Sequence, residues 1–210
     1  MRDRPLSATL RPTFVGRVRR APAGSPSTVA HEADVDALAQ AATRGDTEAV
    51  GRLYDALVDR IYPYVAVRVR RREDAEDLTQ LVFERIVGAL PRYRHNGRPF
   101  AAFAFRIARN AVIDHQRRLK PTEPLGAIAE SSDGMGVEAM SLREESIREL
   151  RSAIRHLTPD QQEALALRYA AGLSAEEAAR VMGRHAGTVR GLTFRAIESL
   201  RRHLSAEAGR

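Results

Sequence analysis

The sequence predicts an all-α protein built as two small helical domains joined by a flexible linker, and three observations carry that prediction. Apolar residues recur three and four positions apart, and no alternating segment suits a strand. Two strings, Thr158-Pro159-Asp160-Gln161 and Ser174-Ala175-Glu176-Glu177, have the chemistry of helix starts, with a capping hydroxyl followed three residues later by an amide or carboxylate that can reach back. Charge is segregated: residues 78–120 hold nine basic against two acidic side chains, residues 121–149 two against seven, and residues 150–210 ten against six. Two basic modules with an acidic stretch between them suit a polyanion binder with two grips, although a basic excess also serves as a plain solvated face.

In chain order, residues 1–33 read as a disordered basic tail, because their opening thirty positions hold four prolines, six arginines and little apolar periodicity. Residues 34–118 read as a four-helix bundle. Val35, Leu38 and Ala42 mark its first helix; Val50, Leu53, Leu57 and Ile61 mark its second, with Gly45-Asp46 as the break. A third helix is expected from about Asp74 to Leu90, ended by Pro91, and a fourth after the loop 92–99. Residues 119–144, rich in Pro, Gly and Ser, read as a flexible acidic linker. In residues 145–205 the two capping strings start helices near Pro159 and Ala175. Gly183 ends the second, and a longer helix begins after about His185, which is helix-turn-helix spacing.

Composition bounds the function. A chain of 210 residues that is 43% apolar can bury a core. No run approaches the roughly 20 apolar residues of a membrane helix, and the arginine-bearing N-terminal stretch lacks the apolar run of a signal peptide, so the expected location is the cytoplasm, with no membrane insertion. With no cysteine there is no disulfide, thiolate metal site or thiol sensor. The six histidines are scattered, and no HExxH, P-loop or GxSxG string is present, so neither enzymatic chemistry nor a cofactor or metal is expected.

Two stretches carry the specific chemistry. In RPFAAFAFRIARNAVIDHQRR (98–118), a helical wheel puts Phe100, Phe103, Ala104, Ile107, Ala108 and Ala111 on one core stripe. Phe105 and Val112 fall on the other side, and Arg106, Asn110 and Arg117 on a third strip. Such a helix is either the centre of a bundle with one wet strip or, beside Arg92, Tyr93, Arg94, His95 and Asn96, a platform for unstacked bases and their phosphates. Upstream, Asp74, Asp77, Gln80, Leu81 and Glu84 lie three or four apart and form an acidic-amide ridge, while Leu78, Val82 and Ile86 face inward. Complementing a helix dipole would by itself account for Asp74 and Asp77.

The strings DAEDLTQLVFERI, RPFAAFAFRIARNAVIDHQRR and LTPDQQEALALRYAAGLSAEEAARVMGRHAGTVRGLTFRAIESLRR, in that order, resemble an extracytoplasmic-function sigma factor of bacterial RNA polymerase. The resemblance covers about 40–118 (sigma region 2) and 145–204 (sigma region 4). It implies a sigma factor that binds core RNA polymerase, directs it to promoter DNA and promotes melting of the minus-ten element. It implies docking of the ridge on the β′ clamp helices, contact with the β flap, an anti-sigma factor that clamps both domains, and a place at the nucleoid. The minus-ten surface would comprise Arg92, Tyr93, Arg94, His95, Asn96, Phe103, Arg106, Asn110, Asp114, Arg117 and Arg118. The minus-thirty-five surface would comprise Arg184, His185, Thr188, Val189, Arg190, Thr193 and Arg195. The linker would run through the polymerase interior. Two departures from the family pattern bear on promoter preference: Phe103-Ala104 stands where Trp-Leu is usual, and Arg190-Gly191-Leu192 replaces a basic-Ser-Arg run. The rival is a stand-alone helix-turn-helix regulator with 34–118 as an effector or dimerisation bundle, which would have no need of the acidic ridge.

Overall fold

The computed structural model describes residues 28–95, 97–118, 149–150 and 152–207. The expected basic tail through residue 27 and the linker 119–144 lie outside these. Among the described residues the chain is helical, with no strand.

Four helices form the first bundle: α1 (Thr28–Thr43), α2 (Thr47–Ala66), α3 (Arg72–Ala89) and α4 (Phe100–Arg118). Helix α1 starts at Thr28, so residues 28–33, expected in the disordered tail, are helical; their string TVAHEA carries no apolar period to mark them in the sequence. The break at Gly45-Asp46 falls as read. Gly45 takes the left-handed φ of +91° that a side chain resists, and Asp46 Oδ1 then caps α2 by accepting the Ala49 N–H at 3.0 Å. In α3, Leu78, Val82 and Ile86 are buried as the spacing predicts, joined by Ala75, Thr79 and Phe83. A 3-10 turn, Leu90–Arg92, with proline near its start, closes α3 and swings the chain into the loop before α4. The α4 N-terminus is held by Asp36 of α1, whose Oδ1 accepts the Phe100 N–H.

In the second module α5 (Pro159–Leu165) runs into a π turn (Ala166–Ala170), followed by α6 (Ala175–Met182) and α7 (Ala186–Glu207). Both capping boxes are complete. Thr158 Oγ1 accepts the Gln161 N–H at 3.3 Å while Gln161 Oε1 accepts the Thr158 N–H at 2.9 Å; Ser174 and Glu177 repeat the exchange at 3.1 and 2.6 Å. Gly183, at φ +65°, ends α6 in the left-handed conformation that lets α7 turn away.

The packing of α4 bears on its two apolar faces. Phe105 and Val112, on the side away from the expected core stripe, are fully buried, while Phe103 and Ile107 of that stripe are only half-buried. The reason is tertiary. Helix α4 packs on α1, α2 and α3 with one face and on α6 with another, so the two modules share one continuous apolar cluster running from Val35 to Val189.

Candidate functional site

The ridge on α3 presents Asp77, Gln80 and Glu84 to solvent, with Asp74 and Leu81 half-buried at its edge. Gln80 Nε2 donates to Glu84 Oε1 at 3.2 Å, so the amide and carboxylate form one rigid strip along the helix. At its N-terminal margin Arg72 pairs with Glu76 at 2.8 Å and Arg71 with Glu73 at 3.4 Å. The strip is therefore an exposed anionic surface over an apolar base, suited to a cationic partner rather than to DNA.

Beside it, α3, the 3-10 turn and α4 border a shallow, open cleft of about 350 Å³ lined by Arg85, Gly88, Ala89, Arg92, Tyr93 and Phe103. Tyr93, Phe100 and Phe103 form an aromatic cluster beneath it, with centroids 4.9 to 5.5 Å apart. Tyr93 is tied down by its hydroxyl, which donates to the Arg98 carbonyl at 3.4 Å. Burial, and then the Asp36 charge, push the Tyr93 phenol above its ordinary value, so it remains a neutral stacking surface at working pH. Arg92, Arg94 and His95 are exposed around the rim, Arg94 folding back on the Pro91 and Tyr93 carbonyls at 3.2 and 3.1 Å. Asn96 lies outside the described residues. On α4, Arg106, Asn110, Arg117 and Arg118 are exposed. Asp114 is half-buried and pairs with Arg85 at 3.6 Å, so it orients a cation of the cleft rather than meeting an anion.

In the helix-turn-helix, Arg184, His185, Thr188, Arg190 and Arg195 are exposed around the start of α7. Val189 and Thr193 do not belong to this surface. Val189 is fully buried and Thr193 nearly so, its hydroxyl donating to the Val189 carbonyl at 2.8 Å; with Ala196 they form the face of α7 that packs on α5 and α6. Intramolecular acids hold two of the exposed cations: Arg184 meets Asp160 at 3.0 Å, and Arg190 pairs with Glu176.

Two residues escape a reading of the sequence by strings. Phe194 is 68% exposed between Arg190 and Arg195, an apolar side chain offered to solvent on the outer face of α7. Its position off the 189-193-196 period is the signal that could have found it. Arg85 lies within the string DAEDLTQLVFERI but off its acidic ridge, and only the fold brings it to the cleft.

The sigma-70 region 2 profile matches residues 53–122, and a sigma-70 region 4 profile matches residues 147–200. The ECF RNA polymerase sigma factor BldN of Streptomyces coelicolor is 36% identical over 186 residues, covering 87% of this chain and 70% of that protein. The ECF sigma factor SigD of Mycobacterium tuberculosis is 34% identical over 191 residues, covering 87% and 89%. Among solved structures, CnrH in complex with the cytosolic domain of CnrY superposes with a TM-score of 0.65 at 25% identity, over 82% of this chain and 98% of that one.

Proposed function

The chain belongs to the extracytoplasmic-function sigma factors, alternative sigma factors that direct RNA polymerase to promoters, and we propose the following division of that work among its residues. It is a transcription initiation factor and not an enzyme, and its partners are core RNA polymerase and promoter DNA.

The α3 strip, Asp77, Gln80 and Glu84 with Asp74 and Leu81 at its edge, docks on the β′ clamp helices. Its support is that an anionic surface is exposed on the same bundle as a cationic one, since like charge on DNA would repel it. The cleft beside it takes an unstacked base of the minus-ten element. Tyr93 and Phe103 offer aromatic surface for stacking, worth about 1–3 kcal/mol per base, which offsets a few kcal/mol for unstacking it from the duplex. Arg85, Arg92 and Arg94, with Arg106, Asn110, Arg117 and Arg118 farther along, receive the displaced strand's phosphates. Melting then follows from capture rather than from force.

In the second domain, the first turn of α7 enters the major groove of the minus-thirty-five element. Its backbone N–H groups and Thr188 suit phosphate, and Arg184, Arg190 and Arg195, with exposed Phe194, face the DNA. The domain limits that go with this reading are 34–118 for region 2 and 145–205 for region 4, with 119–144 crossing the polymerase interior. No helix among the described residues is long and apolar enough to cross a membrane, and the place of work that fits these partners is the nucleoid in the cytoplasm. An anti-sigma factor is the expected antagonist, CnrH having been solved in complex with the cytosolic domain of CnrY.

The observation that carries this reading is the adjacency, on one bundle, of an anionic docking strip and a cationic-aromatic cleft. A stand-alone DNA-binding regulator has use for neither. The test is run-off transcription with purified core polymerase, comparing the wild type with Asp77→Arg/Gln80→Arg. We expect polymerase association to fall at least tenfold, about 1.4 kcal/mol, with the fold retained. Unchanged association would refute the assignment of the strip.

A further inference from the structure

Helix α1 contributes to none of the surfaces described above, yet one of its side chains holds the floor of the cleft. Val35, Ala39 and Ala42 form the buried stripe of α1. Asp36, one position past Val35, is half-buried at the flank of that stripe, on a helix that packs against α4 and the 3-10 turn. Its Oδ1 accepts the Phe100 N–H at 2.5 Å across 64 residues of sequence. The first N–H groups of a helix have no partner within it, and a side chain just ahead of the helix ordinarily supplies the acceptor. Asp46, Thr158 and Ser174 do this locally for α2, α5 and α6. Pro99, just ahead of α4, has no acceptor in its side chain, and α4 takes one from another helix instead. An ionised acceptor makes the shorter and stronger bond, and the positive end of the helix dipole favours it further.

What rests on Phe100 makes this more than a cap. The Phe100 ring meets Tyr93 edge-on, with centroids 4.9 Å apart at 88°, and Phe103 at 5.5 Å. Tyr93 and Phe103 are the aromatic lining of the cleft. Tyr93 also spans the loop that follows the 3-10 turn: its N–H donates to the Leu90 carbonyl at 3.0 Å and its hydroxyl to the Arg98 carbonyl at 3.4 Å. A shift of Phe100 therefore carries through to both stacking faces. The Asp36 charge raises the Tyr93 phenol, second to burial, so the carboxylate faces this aromatic cluster.

We propose that Asp36 is a positioning residue for capture of the melted strand: its bond to Phe100 fixes the start of α4, and through Phe100 the Tyr93 and Phe103 faces, so that a helix outside the cleft sets how tightly an unstacked base is held. This rests on the function proposed for the cleft. A binding constellation works only when held to within about 0.5 Å, which a tie between two helices achieves and a free helix end does not.

The probe is a short fluorescein-labelled single strand, selected by the wild-type holoenzyme from a randomised pool and counter-selected against core polymerase alone. Asp36→Ala should bind it roughly fivefold or more weakly, about 1 kcal/mol, while association with core polymerase stays at the wild-type level. Asp36→Asn, which keeps an acceptor oxygen, should stay within about twofold of the wild type. Adding Pro99→Ser to Asp36→Ala gives α4 a local cap with no tie to α1. Strand affinity of that double variant should remain low, with circular dichroism showing every variant folded at the assay temperature. Wild-type affinity in Asp36→Ala, equal losses in Asp36→Ala and Asp36→Asn, a parallel loss of polymerase association, or recovery of affinity on adding Pro99→Ser would each overturn the tie. Tyr93→Leu separates the two readings. Wild-type affinity there refutes the cleft, whichever way Asp36→Ala falls, whereas a loss there beside an unchanged Asp36→Ala refutes the tie alone.

Discussion

The hydroxyl of Tyr64 donates a 2.8 Å hydrogen bond to Glu163 across 99 residues of sequence, joining the centre of the first domain to the centre of the second. The Tyr64 ring stands edge-on to Phe105, with centroids 5.8 Å apart at 85°. Tyr64→Phe therefore keeps the packing and removes one donor from a buried carboxylate. The expected loss is about 1–3 kcal/mol, because the charge stays buried with one partner fewer. Urea unfolding of the full chain measures it, and a loss below about 0.3 kcal/mol would mean that water reaches Glu163 in solution.

The same contact predicts sensitivity to alkali. Burial, and then the Glu163 charge, raise the Tyr64 phenol well above its ordinary value, against smaller opposing effects of Arg68 and Arg109. Above pH about 10 an unfolded tyrosine releases its proton while the native Tyr64 keeps it, so the native state binds more protons and stability falls as pH rises. The contribution is fully present below pH 10 and is lost from there upward. In Tyr64→Phe the slope of stability against pH above 10 should flatten, leaving the smaller effects of Tyr54 and Tyr93, whose phenols are also raised by burial. Equal slopes in the two proteins would contradict this.

What the sequence makes legible is what is local. The two capping boxes, the glycine stops at 45 and 183, the inward triplet of α3 and the exposed strip above it follow from spacing and side-chain chemistry alone. Glu177 shows where that reading ends: three residues after Ser174 it is a complete capping-box acid, and nothing in the string reveals that its carboxylate also meets Arg60 of another domain. Likewise the doubled apolar character of α4 is visible, but the occupant of its second face is a tertiary fact. Val189 and Thr193 are a different case. Their spacing with Ala196 is helical and inward, and counting the recognition stretch as one block hid it.

Three glycine and cap substitutions separate backbone strain from helix propensity in the second domain. Gly183 has open space where a Cβ would go but sits at φ +65°, so Gly183→Ala should cost about 1–2 kcal/mol from backbone conformation alone. Gly191 lies inside α7, and a Cβ there would meet only Arg195 Nη2 at 3.9 Å. Gly191→Ala should therefore stabilise by about 0.5–1 kcal/mol. Ser174→Ala removes the cap of α6 at about 0.5–2 kcal/mol. Thermal melts of the three variants check the signs, and a stabilised Gly183→Ala would show that α6 ends otherwise in solution.

Arg190 is held by Glu176, and both side chains are more than half exposed, so the pair contributes under about 1 kcal/mol and yields readily to DNA. Glu176→Gln should then tighten binding to the upstream promoter element modestly, about twofold, by freeing the guanidinium and removing an anion from the DNA face. Arg190→Ala distinguishes the two roles open to this side chain. If it reads a base, affinity for the preferred sequence falls by about 1–3 kcal/mol while affinity for other sequences hardly changes. If it meets phosphate, the loss is uniform across sequences and the slope of log affinity against log salt drops by about one. Binding assays of the holoenzyme on matched and scrambled upstream elements at two or more salt concentrations separate these outcomes. Unaltered affinity for every sequence in Arg190→Ala would remove Arg190 from the interface and leave Arg184, Arg195 and Phe194 to carry it.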